Sequence, residues 1–289
     1  MRKLFILFSV IALAACGGSD DVEPTSRDVP SPRLLTVEVS ENPMQDESAS
    51  AREITRAGGA ITTSSLDAFS MVSSQSKTGD ILSFSKDGEG KWKNVDWPYG
   101  AGGTDKLDFY AYNAGTPNWG SAPYISFTVE ENVANQKDFL VAKHENISYN
   151  DNSGIVTLSF DHACAAVQFF VYKEESANYT VSSIILRNVC KQGDYYYNNT
   201  GATPKWQNVG TPTYYTLTTT SIDKLSTTPK RLDCGWLYLI PQSKSDITIE
   251  VTYSKAGADP KTKTLNLSSG TWEAGKQYTV NIRIGGSAS

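Results

Sequence analysis

The feature that most constrains this chain is a side-chain alternation of period two, repeated in short stretches from Leu34 to Ile284. Over residues 34–39, Leu35, Val37 and Val39 share one face, opposite Thr36 and Glu38. Over 106–112, Leu107, Phe109 and Ala111 point one way, and Asp108, Tyr110 and Tyr112 the other. Over 278–284, Tyr278, Val280, Ile282 and Ile284 stand opposite Thr279, Asn281 and Arg283. Between these lie a dozen similar segments, each closed by turn residues, and nowhere do apolar residues recur at helical spacing over three turns. Many short strands with frequent turns exclude a helical bundle and predict an all-β chain. The number of strands, some fifteen, favours two tandem β-sandwiches over one barrel. The densest turn signal, Asn150-Asp151-Asn152-Ser153-Gly154, sets the expected boundary between domains at 57–153 and 154–289.

The N-terminus has a different pattern. Arg2 and Lys3 precede an apolar run of about ten residues, half of the roughly 20 needed to span a bilayer. Small residues then lead to Leu13-Ala14-Ala15-Cys16. This is the layout of a cleaved export signal over residues 1–15, with a lipobox that ends at Cys16. Cys16 is the expected lipidation site, which places the mature chain outside the cytoplasm on a lipid tether. Gly17-Gly18-Ser19 and Asp20-Asp21 follow. That acidic stretch resembles the surface-export signal of some Gram-negative lipoproteins. Residues 16–56 read as a polar tether enclosing the strand at 34–39.

Composition excludes several functions. A net charge of −5 gives no basic surface for phosphate, so no nucleic-acid partner is expected. Besides Cys16 there are Cys164, Cys190 and Cys234, an odd number without a CxxC pair; a Cys190–Cys234 bridge remains open on sequence alone. The two His, His144 and His162, are far apart, so no metal site and no cofactor is expected. Gly100-Ala101-Gly102-Gly103 is followed by no helix and no Lys-Ser/Thr, so it is no phosphate loop. No nucleophile motif is present, and no catalytic residue is assigned. Trp92, Trp97, Tyr99, Trp119 and the run Tyr195-Tyr196-Tyr197 offer faces for sugar stacking. They carry an alternative expectation, a surface-anchored glycan-binding lipoprotein.

Several segments in order resemble the fimbrillin family, the subunits of type V pili. They are the lipobox, Leu66-Asp67-Ala68-Phe69-Ser70-Met71, Trp97-Pro98 with residues 106–112, and Gln136-Lys137-Asp138-Phe139-Leu140-Val141-Ala142. Residues 156–171 (VTLSFDHACAAVQFFV), Ile240-Pro241-Gln242 and residues 270–278 (GTWEAGKQY) continue the match. Ala166 departs from the family pattern, which often has Lys there.

The resemblance implies two transthyretin-like sandwiches and a structural, non-catalytic role in a surface pilus and in cell adhesion. It further implies that an Arg-specific protease removes the N-terminal segment with its strand (Leu35, Val37, Val39), and that a strand of another pilus subunit fills the vacated groove. Arg56 and Arg52 are the expected processing residues, Arg56 preferred because glycines follow it. Only Gly285 to Ser289 follow the last strand, from which we expect a tip or accessory subunit rather than a stalk subunit.

Overall fold

The computed structural model describes residues 33–46, 66–74, 81–98, 103–119, 123–174, 176–197, 205–218 and 220–285. Cys16, Arg52, Arg56 and Tyr99 lie outside the described residues. The first part of the chain supplies β1 (Leu34–Glu41), β2 (Gln45–Asp46), β3 (Ala68–Ser73), β4 (Leu82–Ser85), β5 (Val95–Asp96), β6 (Leu107–Tyr112), β7 (Thr116–Asn118), β8 (Tyr124–Thr128) and β9 (Leu140–Ile147). A single-turn helix, α1 (Tyr149–Asn152), follows. The second part supplies β10 (Ile155–His162), β11 (Ala165–Lys173), β12 (Tyr179–Cys190), β13 (Gln192–Tyr196), β14 (Trp206–Gln207), β15 (Pro212–Thr216) and β16 (Lys230–Leu239). It ends with β17 (Gln242–Ser243), β18 (Thr248–Lys255), β19 (Lys261–Asn266), β20 (Thr271–Trp272) and β21 (Lys276–Ile284). The fold is all-β, as the period-two alternation requires.

A seven-stranded sheet has the order β4-β3-β6-β9-β10-β1-β5. One face carries Phe69, Met71, Leu107, Phe109, Leu158 and Phe160, which form one buried cluster with Leu35 and Val37. The sheet rolls over this cluster. β3 and β10 are separated by two strands, roughly 14 Å in a flat sheet at about 4.8 Å per strand. Yet the rings of Phe69 and Phe160 approach to 5.2 Å, edge to face. That curvature needs large side chains on the concave face, and this is where the aromatic residues of β3, β4 and β10 lie.

Strand β6 is buried on both faces. Tyr110 and Tyr112 face away from the first cluster and join a second, larger one. There the Tyr110 ring lies 5.2 Å from that of Tyr197, and the Tyr197 hydroxyl donates to the Ala111 carbonyl at 2.7 Å. A sheet of order β14-β13-β8-β7 covers this face. Sheets β16-β11-β21-β2 and β15-β12-β18-β19 enclose the rest of the second cluster. Four pairings cross the position of the Asn150–Gly154 turn: β10 with β1 and with β9, β13 with β8, and β21 with β2.

Candidate functional site: the strand slot of the N-terminal segment

Leu34–Glu41 is held in an unusual way for an all-β chain. It runs parallel to β10, with Thr36 opposite Ile155 and Glu41 opposite Phe160. Strands joined by hairpins are antiparallel, whereas a parallel pair needs a long crossover. β1 therefore belongs to no hairpin and can separate from β10 without tearing one. On its other side only Leu34 and Leu35 are paired, antiparallel to Asp96 and Val95. From Thr36 onward β1 is the edge of its sheet. Three residues later the chain pairs again, as β2, along β21 at the edge of a second sheet. One segment thus lines the edges of two sheets.

Side chains and backbone both fix the register. Leu35 and Val37 are buried and Val39 partly buried against the first cluster, while Met44 is buried beside β2. Taking Leu35, Val37 and Met44 out of water stabilises the docked segment by roughly 5–9 kcal/mol, at about 1.5–3 kcal/mol each. The Thr36 amide donates to the Gly154 carbonyl at 2.9 Å, and the Asn42 amide to that of Phe160 at 2.8 Å. The Gln45 amide donates to Gly275 at 2.8 Å. The Asn42 side-chain amide donates to Asp161 at 2.7 Å.

The entrance to the slot is built by α1. Ser148 caps it, and Ser153 closes it in the left-handed region. The densest turn signal in the sequence therefore folds as one helical turn. Gly154 then has φ +76°, and a Cβ there would lie 2.4 Å from the Leu34 carbonyl oxygen. Gly154 thus lets β1 approach β10. Trp97 completes the entrance: its amide donates to the Arg33 carbonyl at 2.7 Å, and its ring meets Tyr149 edge to face at 5.4 Å. Gly154→Ala is expected to destabilise the chain by about 1–3 kcal/mol, through strain at positive φ and the clash with Leu34. Comparison of urea midpoints, together with faster amide exchange at Thr36, would check it.

Where the chain crosses from β1 to β2 it leaves a cleft of about 570 Å³. Asn42, Met44, His162, Lys205 and Trp206 are among its walls. The Trp206 indole donates to the Ala163 carbonyl at 2.7 Å, which fixes that wall. Sequence reading treats residues 40–55 as a polar loop and misses this second docking point. Its one signal is Met44, a lone apolar residue among polar ones, and a two-residue strand is too short to show a period.

Among the described residues, most of the rings that suggest a sugar platform pack against other rings. Trp97, Tyr195 and Tyr197 are buried, and Trp92 packs edge to face on Phe69 at 4.9 Å. Tyr195 stands edge-on to Phe139 at 5.9 Å. This corrects the expectation of exposed aromatics for Trp97, Tyr195 and Tyr197, which the two buried clusters take up as core side chains. Cys164, Cys190 and Cys234 are free thiols, so the Cys190–Cys234 bridge is absent. Burial raises all three thiols, Cys164 most strongly and Cys234 to about 11, so they stay protonated and unreactive at neutral pH. Among the described residues no group of three or more His, Cys, Asp and Glu could hold a metal.

Solved structures with the same fold include three from Bacteroides. A candidate cell adhesion protein of Bacteroides uniformis superposes with a TM-score of 0.52 at 15% identity, over 75% of this chain and 86% of its own. One from Bacteroides ovatus gives 0.50 at 14% identity, over 86% and 92%. Another, from Bacteroides eggerthii, gives 0.50 at 14%, over 88% and 87%. No curated protein matches the chain. The description "Fimbrillin-like" matches residues 55–289, which takes in every described strand after β2. On that match the chain belongs to the fimbrillin-like family.

Proposed function

We propose that this protein is a structural subunit of a surface pilus that also serves cell adhesion, and that it assembles by exchange of its N-terminal strand. The observation that carries this reading is the segment Leu34–Asp46: apolar on its inner face, free of any hairpin, and lying along the edges of two sheets. Two arginines, Arg52 and Arg56, follow it in sequence. A cut after either would leave the segment held only by noncovalent contacts. Its departure would expose unpaired backbone groups of β10 and β21 together with the pockets of Leu35, Val37 and Met44. Such an edge is a template for another strand. A strand with apolar residues at alternate positions, supplied by a neighbouring subunit, restores both the ladder and the buried area. The names of the solved relatives, which refer to cell adhesion, agree with this reading.

In this scheme Cys16 carries the lipid that tethers the precursor to the outer membrane, and cleavage releases the body from that tether into the fimbrium. A tip or accessory position is supported by β21. It lies between β11 and β2 in its own sheet, with Ile282 and Ile284 buried. Donating it to a neighbour would remove an inner strand of the subunit itself.

Treatment of the full chain with an Arg-specific protease tests the proposal. Mass spectrometry should find a new N-terminus at Ala57, or at Glu53, and R52A/R56A should remain intact. The treated protein should stay monomeric by itself, as a terminal subunit would. An N-terminus that persists at Cys16 would overturn the processing step, and self-assembly into ladders would overturn the terminal position.

A further inference from the structure

The chain has two histidines, and His162 is walled in, with its side chain 1% exposed. It ends β10, opposite Leu140 of β9. Its Nδ1 is hydrogen-bonded to Asp138 Oδ2. Asp138 is buried on the approach to β9, where its carbonyl accepts from the Asn113 side chain at 2.9 Å. One ring nitrogen is thus fixed by the body of the protein. The other, Nε2, is buried and closes no hydrogen bond.

The groups that answer Nε2 belong to the N-terminal segment. The Glu41 carboxylate and the Asn42 backbone both favour a charged ring. Glu41 Oε2 is itself buried and without a partner. Asn42 and His162 line the same cleft, which has room for a bridging water. The buried Nε2 of His162 and the buried Oε2 of Glu41 thus lie at the same end of the β1–β10 ladder, Glu41 opposite Phe160 and His162 two residues beyond it, where the chain passes from the first sheet to the second.

We propose that the Asp138–His162 pair is a proton-controlled latch on the N-terminal strand: the imidazolium, oriented by Asp138, holds Glu41 and pins the end of β1 in its slot. His162 is a positioning residue in this role. The inference deepens the proposed strand exchange, on which its biological use rests, but it concerns the resident strand of the intact chain. Any strand that enters the same slot meets the same donor, so an acidic or amide side chain opposite Phe160 is favoured there over a lysine.

The local charges set the direction. Burial lowers the basicity of His162, but the hydrogen bond and charge of Asp138, then the charge of Glu41, outweigh burial and raise it above the ordinary value of 6.5. Burial also raises the carboxyl of Asp138 itself, and three further neighbours keep their protons through neutrality. The Cys164 thiol is driven well up by burial and by Asp138. Burial, Asp138 and Cys164 raise the Tyr238 hydroxyl, and burial with Asp161 raises that of Tyr195. Asp161 is bonded to Asn42, and Lys205 lies on the cleft wall. A group whose basicity is higher folded than unfolded contributes stability that is full below the unfolded value and lost as pH rises through the folded one. β1 should therefore be held in mildly acidic solution and loosen in alkaline solution.

Amide hydrogen exchange of the full chain tests this, with protection factors corrected for intrinsic rates. From about pH 5.5 to about pH 8.5, protection across Val37–Asn42, relative to β11, should fall about tenfold, which corresponds to about 1.4 kcal/mol. E41Q keeps the shape of a partly exposed residue but removes its charge, and it should flatten that profile while lowering the basicity of the His162 ring as read by NMR. H144Q should keep the wild-type profile. A flat wild-type profile, or an unchanged one in E41Q, would overturn the latch. Proteolysis plays no part in the measurement, so failure of strand exchange and failure of the latch are separate results.

Discussion

Replacing Leu35 and Val37 together by Ala should weaken the hold on β1 by about 4–6 kcal/mol, from cavity formation at Leu35 and lost methyl burial at Val37. Both side chains are buried, Leu35 completely. The way this loss appears follows from topology. β1 is not part of a hairpin, and beyond Leu35 it has one paired neighbour, β10. It can detach while the remaining strands stay folded, as a local opening rather than a global one. Global stability should therefore fall only until it reaches the contribution of the docked segment. Amide exchange from Thr36 to Asn42 should approach that of an unstructured peptide, with β6 and β11 still protected. Cooperative loss of all strands at once in L35A/V37A would mean that β1 is integral to the core and cannot be replaced. The exposed neighbour Leu34 provides the control, since Leu34→Ala should change stability by less than about 0.5 kcal/mol.

Phe160→Ala should instead cost about 3–5 kcal/mol of global stability. Phe160 is completely buried, and its ring closes the rolled sheet against Phe69. No neighbouring strand can collapse into the space, because β3 and β10 are already held apart by β6 and β9. The urea midpoint should drop with an unchanged slope, since the surface exposed on unfolding is the same. Phe160 also stands opposite Glu41 in the parallel register, so β1 should loosen as well. The two variants separate the roles of the elements they touch: one removes an occupant, and the other removes the wall that shapes the slot.

The strands of this fold were legible because period-two alternation is a local property. The stretches around Leu35, Phe109 and Ile282 alternate as written, and each lies in a strand. Pairing was not legible, because ladders depend on partners far away in sequence. Nothing near Val37 indicates that it runs parallel to β10, 119 residues onward. The aromatic residues misled for the same reason. Tyr110 and Tyr112 sit on the face of β6 that also carries Asp108, which suggests solvent. A sheet formed by strands from both parts of the chain covers them. Met44 gave too short a signal, and the Asp138–His162 pair gave none, since 24 residues separate partners that only a strand pairing brings together.

Of the N-terminal segment, the sequence by itself determined an alternating strand from Leu34 and two arginines behind it, and it raised the expectation of an export signal over residues 1–15. These are composition and period, and no partner is needed to read them. Tertiary structure alone decided where that strand goes. It decided that β1 lies along β10 without a hairpin and that β2 reaches a second sheet. It also set a buried His162 against Asp138 and two residues beyond Phe160, the partner of Glu41. The physical reason is that backbone hydrogen bonds and buried charges are satisfied across space, and the chain carries no local mark of which distant groups will satisfy them.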